Sequence, residues 1–404
     1  MKDKHSTTEK SEKLSDVAGL ERQWKAIDWN RVEGDVNRLQ VRIAKATLEK
    51  KHNTVKRLQY LLTHSFSAKL LAVKHVTTNK GKRTAGVDGI RWATPADKMH
   101  AALTLTDKHY KAQPLKRVYI EKKGKSKKRP LGIPTMYDRA MQALYALALD
   151  PVAETTADHR SFGFRKGRCC QDACEHLFQL LSTQNSPQWV LEGDIKGCFD
   201  HISHEWLMEN ISMDKSVLRQ FLKAGFVYSK QMFSTDKGTP QGGIISPILA
   251  NMTLDGMEDA LDKEFHKTQD DRFANKVNLV RYWHTKGLRH WVFCTERIEL
   301  KTAGHTPIVR HVKIRSNANP YLEPEYFEKR KFQNGMRRLS GKFKAVWRKQ
   351  KGICPVCGKT IDLAEDRKIH FRIPRSQGGT DTVDNMVYMH KDCEKQIQSR
   401  RATA

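Results

Sequence analysis

Trp189-Val190-Leu191-Glu192-Gly193-Asp194-Ile195, followed at once by Lys196-Gly197-Cys198-Phe199-Asp200-His201-Ile202, is the stretch on which the fold of this chain turns. Its apolar start predicts a buried strand, and Asp194 stands at the end of it, where a carboxylate can face a cleft and hold a metal ion. Phe199 follows five residues later and Asp200 six. A lone aspartate after a strand is more often a helix cap, so its neighbours have to decide. A second strand is predicted over 277–282, ending in Leu279-Val280-Arg281-Tyr282, and it runs directly into Trp283-His284-Thr285-Lys286. Trp283, His284 and Thr285 cannot hold a magnesium ion as a carboxylate does.

The rest of the composition narrows the chemistry. In 404 residues, Lys and Arg total 73 against 45 for Asp and Glu, a formal charge of +28. Such an excess repels itself in a compact state and points to a polyanion, with nucleic acid ahead of an anionic membrane. No apolar run is long enough to span a bilayer, and the start, Met1-Lys2-Asp3-Lys4-His5, has no apolar signal core, so a cytoplasmic protein is expected. Eight cysteines do not form a secreted framework: Cys169, Cys170, Cys174, Cys198 and Cys294 are scattered and expected reduced.

Outward from the deciding stretch, residues 1–20 read as a polar, disordered tail. Apolar spacing between Trp29 and His75 (Val36, Leu39, Ile43; Leu58, Leu61, Leu62) predicts two or three amphipathic helices. A hairpin is expected from Lys116–Ile120 and Arg129–Pro134, with Lys122–Lys128 as its turn, then a helix from Asp138 to Ala153. Residues 283–350 read as a basic, aromatic linker with short helices, a composition that ends in the run Phe343–Lys351.

Five strings occur in order: Gly86-Val87-Asp88-Gly89, Arg129-Pro130-Leu131-Gly132-Ile133-Pro134, Ser161-Phe162-Gly163-Phe164-Arg165, Gly193–Ile202, and Gly238-Thr239-Pro240-Gln241-Gly242-Gly243. Taken singly, their glycines and prolines are turn punctuation. Together they resemble group II intron-encoded reverse transcriptase/maturases over most of the chain. The resemblance implies an α+β fold with fingers and palm over 21–282. Asp194 resembles the first palm carboxylate and a magnesium ligand, and Phe199 the aromatic gate under the incoming sugar. Arg129 with Lys122, Lys123 and Lys128 resembles the finger contacts to a dNTP triphosphate, and Gln241 the residue beside the nascent pair. Two-metal nucleotidyl transfer needs further carboxylates. The family follows its tyrosine with one small residue and two aspartates, then more palm and a helical thumb. Here Trp283-His284-Thr285 follows, so the palm is expected to be incomplete and the thumb largely missing. Asp270-Asp271, the nearby acidic pair, precedes the strand in a polar stretch and reads as solvated surface. The family's linker resumes near Arg289–Phe293 and Arg310–Ile314.

The last segment, 351–404, carries Cys354-x-x-Cys357 and His390-x-x-Cys393, a ligand set that zinc takes in a closed tetrahedral site. Between the two pairs lie Ile369-His370-Phe371-Arg372-Ile373-Pro374 and Asn385. This resembles the ββα HNH endonuclease domain that ends many group II intron proteins. His370 matches its metal-binding histidine, which taken alone is as well read as a packed histidine. Asn385 matches the asparagine that orients the histidine strand. The general-base histidine falls at Phe371, and a further histidine at Glu394, which can still bind magnesium. Cleavage is expected to be crippled. The leading reading is a maturase-type protein binding intron RNA and target DNA. The alternatives are a residual magnesium-dependent nuclease and a non-functional deletion product with exposed apolar surface.

Overall fold

The computed structural model describes residues 16–122, 125–182, 193–195, 197–257, 260, 283–286, 289–293, 311–363 and 367–402. The first part of the strand expected at 189–195, the strand expected over 277–282, and Lys123, Asp270, Asp271, Cys294 and Arg310 lie outside them. The chain divides into two compact units, residues 1–166 with 192–266, and 167–191 with 267–404.

In the first unit a helix over residues 16–25 is followed by three helices, Trp29–Leu48, His52–His64 and Phe66–Thr78. Asp28 starts the first of these three by accepting the N–H groups of Asn30 and Arg31, and Ser65 starts the last by accepting from Ala68. Thr94 and Asp97 form a reciprocal capping box on the helix Pro95–Thr104. These elements bury Val36, Ile43, Leu58 and Leu62 against Leu144 and Leu149 of the central helix Met136–Thr156. Leu39 is partly buried, whereas Leu61, expected on the same apolar stripe, is exposed. It lies one residue off the buried spacing and turns to solvent.

The central helix contains Pro151, which has no N–H to give to the Leu147 carbonyl one turn earlier. The side-chain amide of Gln40 donates to that carbonyl instead, at 2.8 Å, and Gln59 donates to the carbonyls of Ala148 and Ser212. Two buried glutamines thus belong to the packing of the central helix.

A four-stranded sheet lies in the same unit, in the order β2-β1-β3-β4, built from β1 (Leu115–Lys122), β2 (Lys125–Ile133), β3 (Phe226–Tyr228) and β4 (Gln231–Phe233). β1 pairs antiparallel with β2 (Tyr119 opposite Pro130) and parallel with β3 (Leu115 opposite Phe226). The expected hairpin is present, but its strands continue to Lys122 and Lys125, which pair across a register shift. Most of the lysine run is therefore ladder.

Residues 193–195 carry no regular structure and are exposed, so the strand expected to continue through Ile195 is not met there. A strand needs a hydrogen-bonding neighbour, and among the described residues none pairs with this segment.

In the second unit β5 (Trp283–Lys286) and β6 (Arg289–Phe293) form an antiparallel hairpin in place of the expected linker. The short helices expected in that linker are present at Pro324–Arg338 and Gly341–Lys349. The C-terminal core is built on Trp347, fully buried, edge-on to Tyr388 with ring centroids 5.6 Å apart and parallel to Phe332 at 6.4 Å. Its indole N–H donates to the Phe332 carbonyl at 3.1 Å. β7 (Lys368–Phe371) and β8 (Met386–Met389) pair antiparallel, and the helix Lys391–Ala402 completes a ββα arrangement. Among the described residues no helix is long and apolar enough to cross a membrane.

Candidate functional site

In the first unit Gly197 begins the helical turn Cys198–His201 from the left-handed region, at φ +63°. The loop Gly238–Gly243 lies against that turn. Gly238 adopts φ +84°, and a Cβ there would stand 2.7 Å from the Phe199 carbonyl oxygen. The N–H of Thr239 donates to the Phe199 carbonyl at 2.7 Å, and His204 Nε2 lies 2.7 Å from the Gly238 carbonyl. Gln241 reaches Asp200 with Nε2 at 3.4 Å, while its own carbonyl accepts from Gly132 at 2.8 Å. A cleft of about 320 Å³ opens between these groups, lined by Arg117, Phe199, Asp200, Thr239, Pro240 and Gln241 among others. The Phe199 ring meets Phe164 edge-on at 6.2 Å.

Of the residues singled out in the sequence, Phe199 and Gln241 therefore share one cleft. Asp194 is exposed on the irregular segment 193–195 and is not among the cleft's lining residues. Arg129 is exposed on β2, and Lys128 lies 3.7 Å from Glu121 across the hairpin. Arg117, which lines the cleft and stacks on Phe226 at 3.9 Å, carried no sequence signal beyond its place in a strand.

In the second unit the ligand atoms of Cys354, Cys357, His390 and Cys393 all lie within 4.8 Å of one another. His390 Nδ1 stands 3.3 Å from the Cys357 sulfur and 3.8 Å from that of Cys393, while Nε2 lies 3.1 Å from the Thr360 carbonyl. A ring held through its outer nitrogen presents the inner one to a metal. Burial opposes ionisation of Cys354, but backbone N–H groups of His390, Cys357 and Val356 bring it down to about 7. Burial and the neighbouring Cys354 and Cys357 sulfurs push Cys393 far up. Such crowding of thiols is what a divalent cation relieves. The four groups can hold zinc.

Beside this cluster, His370 pairs with Val387 and Phe371 with Met386 across the ribbon. Alternation sends Lys368 and His370 to one face, Ile369 and Phe371 to the other. Ile369 and Phe371 pack on the module's core, and the Arg375 guanidinium lies over the Phe371 ring at 4.8 Å. His370 lines a shallow pocket with Arg372, Val387 and Met389. Glu394 is buried, with Lys368 Nζ at 3.2 Å and the Gln398 amide on its other oxygen, and it is not part of that lining. Asn385 closes the loop after β7. Its amide donates to the carbonyls of Ile373 (3.0 Å) and Thr380 (2.8 Å), and its side-chain oxygen accepts from the Ile373 N–H at 2.8 Å.

One cluster had no signal in the sequence, because His311 and Arg330 lie far along the chain from Cys169 and Asp172. Cys169, Asp172 and His311 have ligand atoms within 4.8 Å, and the guanidinium of Arg330 also bonds the Asp172 carboxylate. Burial pushes Asp172 up, but His311, Arg330 and Cys169 outweigh it and hold the carboxyl below its ordinary value. Burial and the Asp172 charge raise the Cys169 thiol. With an arginine in the place of a metal and a thiol kept protonated, this cluster is an ion-pair lock between 167–172 and the helix Pro324–Arg338.

These arrangements meet their counterparts in known proteins. Residues 24–105 match the N-terminal domain of reverse transcriptase, 120–283 the reverse transcriptase (RNA-dependent DNA polymerase) family, and 354–400 the HNH endonuclease family. The group II intron-encoded protein LtrA of Lactococcus lactis subsp. cremoris is 37% identical over 192 residues, 46% of this chain and 32% of that protein. The chain carries reverse transcriptase and HNH endonuclease domains and is similar to group II intron-encoded proteins. Among further relatives, YkfC of Escherichia coli is 30% identical over 235 residues, covering 54% of this chain and 61% of YkfC. An uncharacterized 91 kDa protein in the cob intron of Schizosaccharomyces pombe is 31% identical over 204 residues, 48% of this chain and 24% of that protein. The chain thus spans only part of each of these relatives, about a third of LtrA. Reverse transcriptase and HNH domains imply a nucleic-acid-binding protein.

Proposed function

We propose that this intron-encoded protein is an internally shortened maturase-type chain, which binds intron RNA through its fingers and palm and target DNA through a zinc-clamped C-terminal module, without polymerising DNA. The observation that carries the reading is the junction at Tyr282. There the reverse transcriptase match stops at residue 283, and Trp283-His284-Thr285 stands where a carboxylate pair is required. One aspartate, Asp194, cannot hold two metal ions in the geometry that nucleotidyl transfer needs. Phe199 and Gln241 still share a cleft, which supports retention of a surface for a primer–template or an RNA strand.

In this reading Cys354, Cys357, His390 and Cys393 hold one structural zinc ion, and Asn385 positions the strand that carries His370. His370 would take a magnesium ion, while Phe371 has no proton to exchange and leaves hydrolysis without a base. Glu394, tied to Lys368, contributes little to that metal. Residual nicking is the second reading, supported by His370 facing an accessible pocket.

The test is a primed RNA template supplied with dNTPs and magnesium. We expect the chain to bind the template and extend no primer. Extension that disappears in an Asp194→Asn variant overturns the proposal.

A further inference from the structure

A second cavity in the first unit, about 350 Å³, lies between the helix His52–His64, the central helix Met136–Thr156 and the turn 211–215. That volume is within the range of small-ligand sites, ~300–1,000 Å³. The polar groups of its floor are already satisfied from within. The Tyr145 hydroxyl donates to Asp107 at 2.8 Å, and the Gln59 amide donates to Ser212 and Ala148.

The rim is different. Tyr60 lies face to face with His64, ring centroids 3.9 Å apart and planes 26° from parallel. The His64 ring is fixed at both nitrogens: Nδ1 is 2.9 Å from the Tyr60 carbonyl, and Nε2 is 3.5 Å from Asp107. His64 therefore covers one face of Tyr60, yet Tyr60 keeps 62% of its surface exposed. Lys56 stands one turn before Tyr60 on the same helix face, and Lys215 lines the same cavity. Lys215 Nζ donates to the Ile211 carbonyl at 2.6 Å, and neither lysine forms an ion pair among the described residues. Lys215 is held below its ordinary pKa by burial and by the Lys56 charge, so the two cations strain against each other. The rim's acids are engaged elsewhere: Asp107 on Tyr145 and His64, and Asp214 on the N–H of Val217 as a helix cap. A pre-fixed aromatic face beside two cations that have no acidic partner is the chemistry that receives a base and its flanking phosphates.

We propose that this cavity takes one unpaired nucleotide of a single-stranded RNA, its base stacked on Tyr60 and its flanking phosphates held by Lys56 and Lys215. The proposal rests on the RNA-binding reading above and adds a site that the fingers–palm cleft does not contain. A duplex cannot use it, because its bases are already stacked on one another.

The test uses the full chain and a nine-nucleotide single-stranded RNA with 2-aminopurine at its centre. Binding is expected to quench the fluorophore. Tyr60→Leu should abolish the quench and weaken binding about tenfold, within the range of lost base stacking, while Tyr60→Phe keeps both. Lys56→Gln and Lys215→Gln should each lower the slope of log affinity against log salt by about 0.7. All three side chains are exposed, so an unchanged melting temperature is expected and is measured alongside. If the wild-type chain binds longer RNA but the oligomer shows no quench, or quenching occurs only with a DNA oligomer of the same sequence run beside it, the cavity assignment is wrong and the maturase-type function stands. If the wild-type chain binds no RNA of any length, both fail.

Discussion

Phenylalanine 371 illustrates how one residue can separate a fold from its chemistry. Its backbone pairs with Met386 as a strand residue, and its ring both packs on the core and supports Arg375. The position is structurally sound, but it offers no nitrogen to take a proton from water. His370, the preceding residue, points to the opposite face and lines an accessible pocket. If the remaining groups of an HNH centre are competent, Phe371→His restores the missing base, and magnesium-dependent nicking of supercoiled plasmid should rise by about 10²-fold, the scale of one general base. The substitution shortens a half-buried ring and removes the Arg375 stacking, so a loss of stability of about 1 kcal/mol is expected with it. An unaltered nicking rate in a variant that still melts cooperatively would count against placing the cleavage centre here.

Elements that close on themselves were legible in the sequence, and those that depend on distant partners were not. The three helices between Trp29 and Thr78 follow from apolar spacing and from capping by Asp28 and Ser65, all within a few residues. The extended lysine strands are less obvious, because charge and glycine read as turn while strand pairing decides the ladder. The Gln40–Leu147 bond and the Asp172 lock show the other limit, since their partners lie far along the chain. The metal knuckles are the opposite case, since each pair of ligands is separated by two residues and is visible without any fold. Their geometry yields an element-scale prediction. A module this small owes much of its folding free energy to its ion. Cys354→Ser should lower zinc from one ion per chain to near none by metal analysis, and the 354–402 segment should become sensitive to protease while the helical first unit stays resistant. Full zinc retained by this variant would remove Cys354 from the ligand set.

At the scale of the whole molecule, the decisive quantity is charge. A formal +28 in 404 residues is costly to fold, because like charges repel whatever their local geometry. Ion pairs relieve part of it, but those among the described residues are mostly solvent-exposed pairs such as Lys342–Asp381 and Lys349–Asp384, which contribute little. The excess becomes useful only when phosphates displace condensed counterions, and this makes affinity a function of salt before it is a function of sequence. With about six phosphates contacted on a single strand, log affinity should fall with log salt at a slope near −4, a loss of roughly 300-fold between 50 and 200 mM monovalent salt. Charge alone would give the same slope with any polyanion, so heparin is the proper comparison. For a chain with a dedicated RNA surface, a structured intron RNA should retain an affinity advantage over heparin at 200 mM salt, where the counterion contribution has shrunk and base and shape contacts remain. Equal affinities at that salt would mean that the basic surface is all there is, and the maturase-type function would have to be given up in favour of a non-specific polyanion binder.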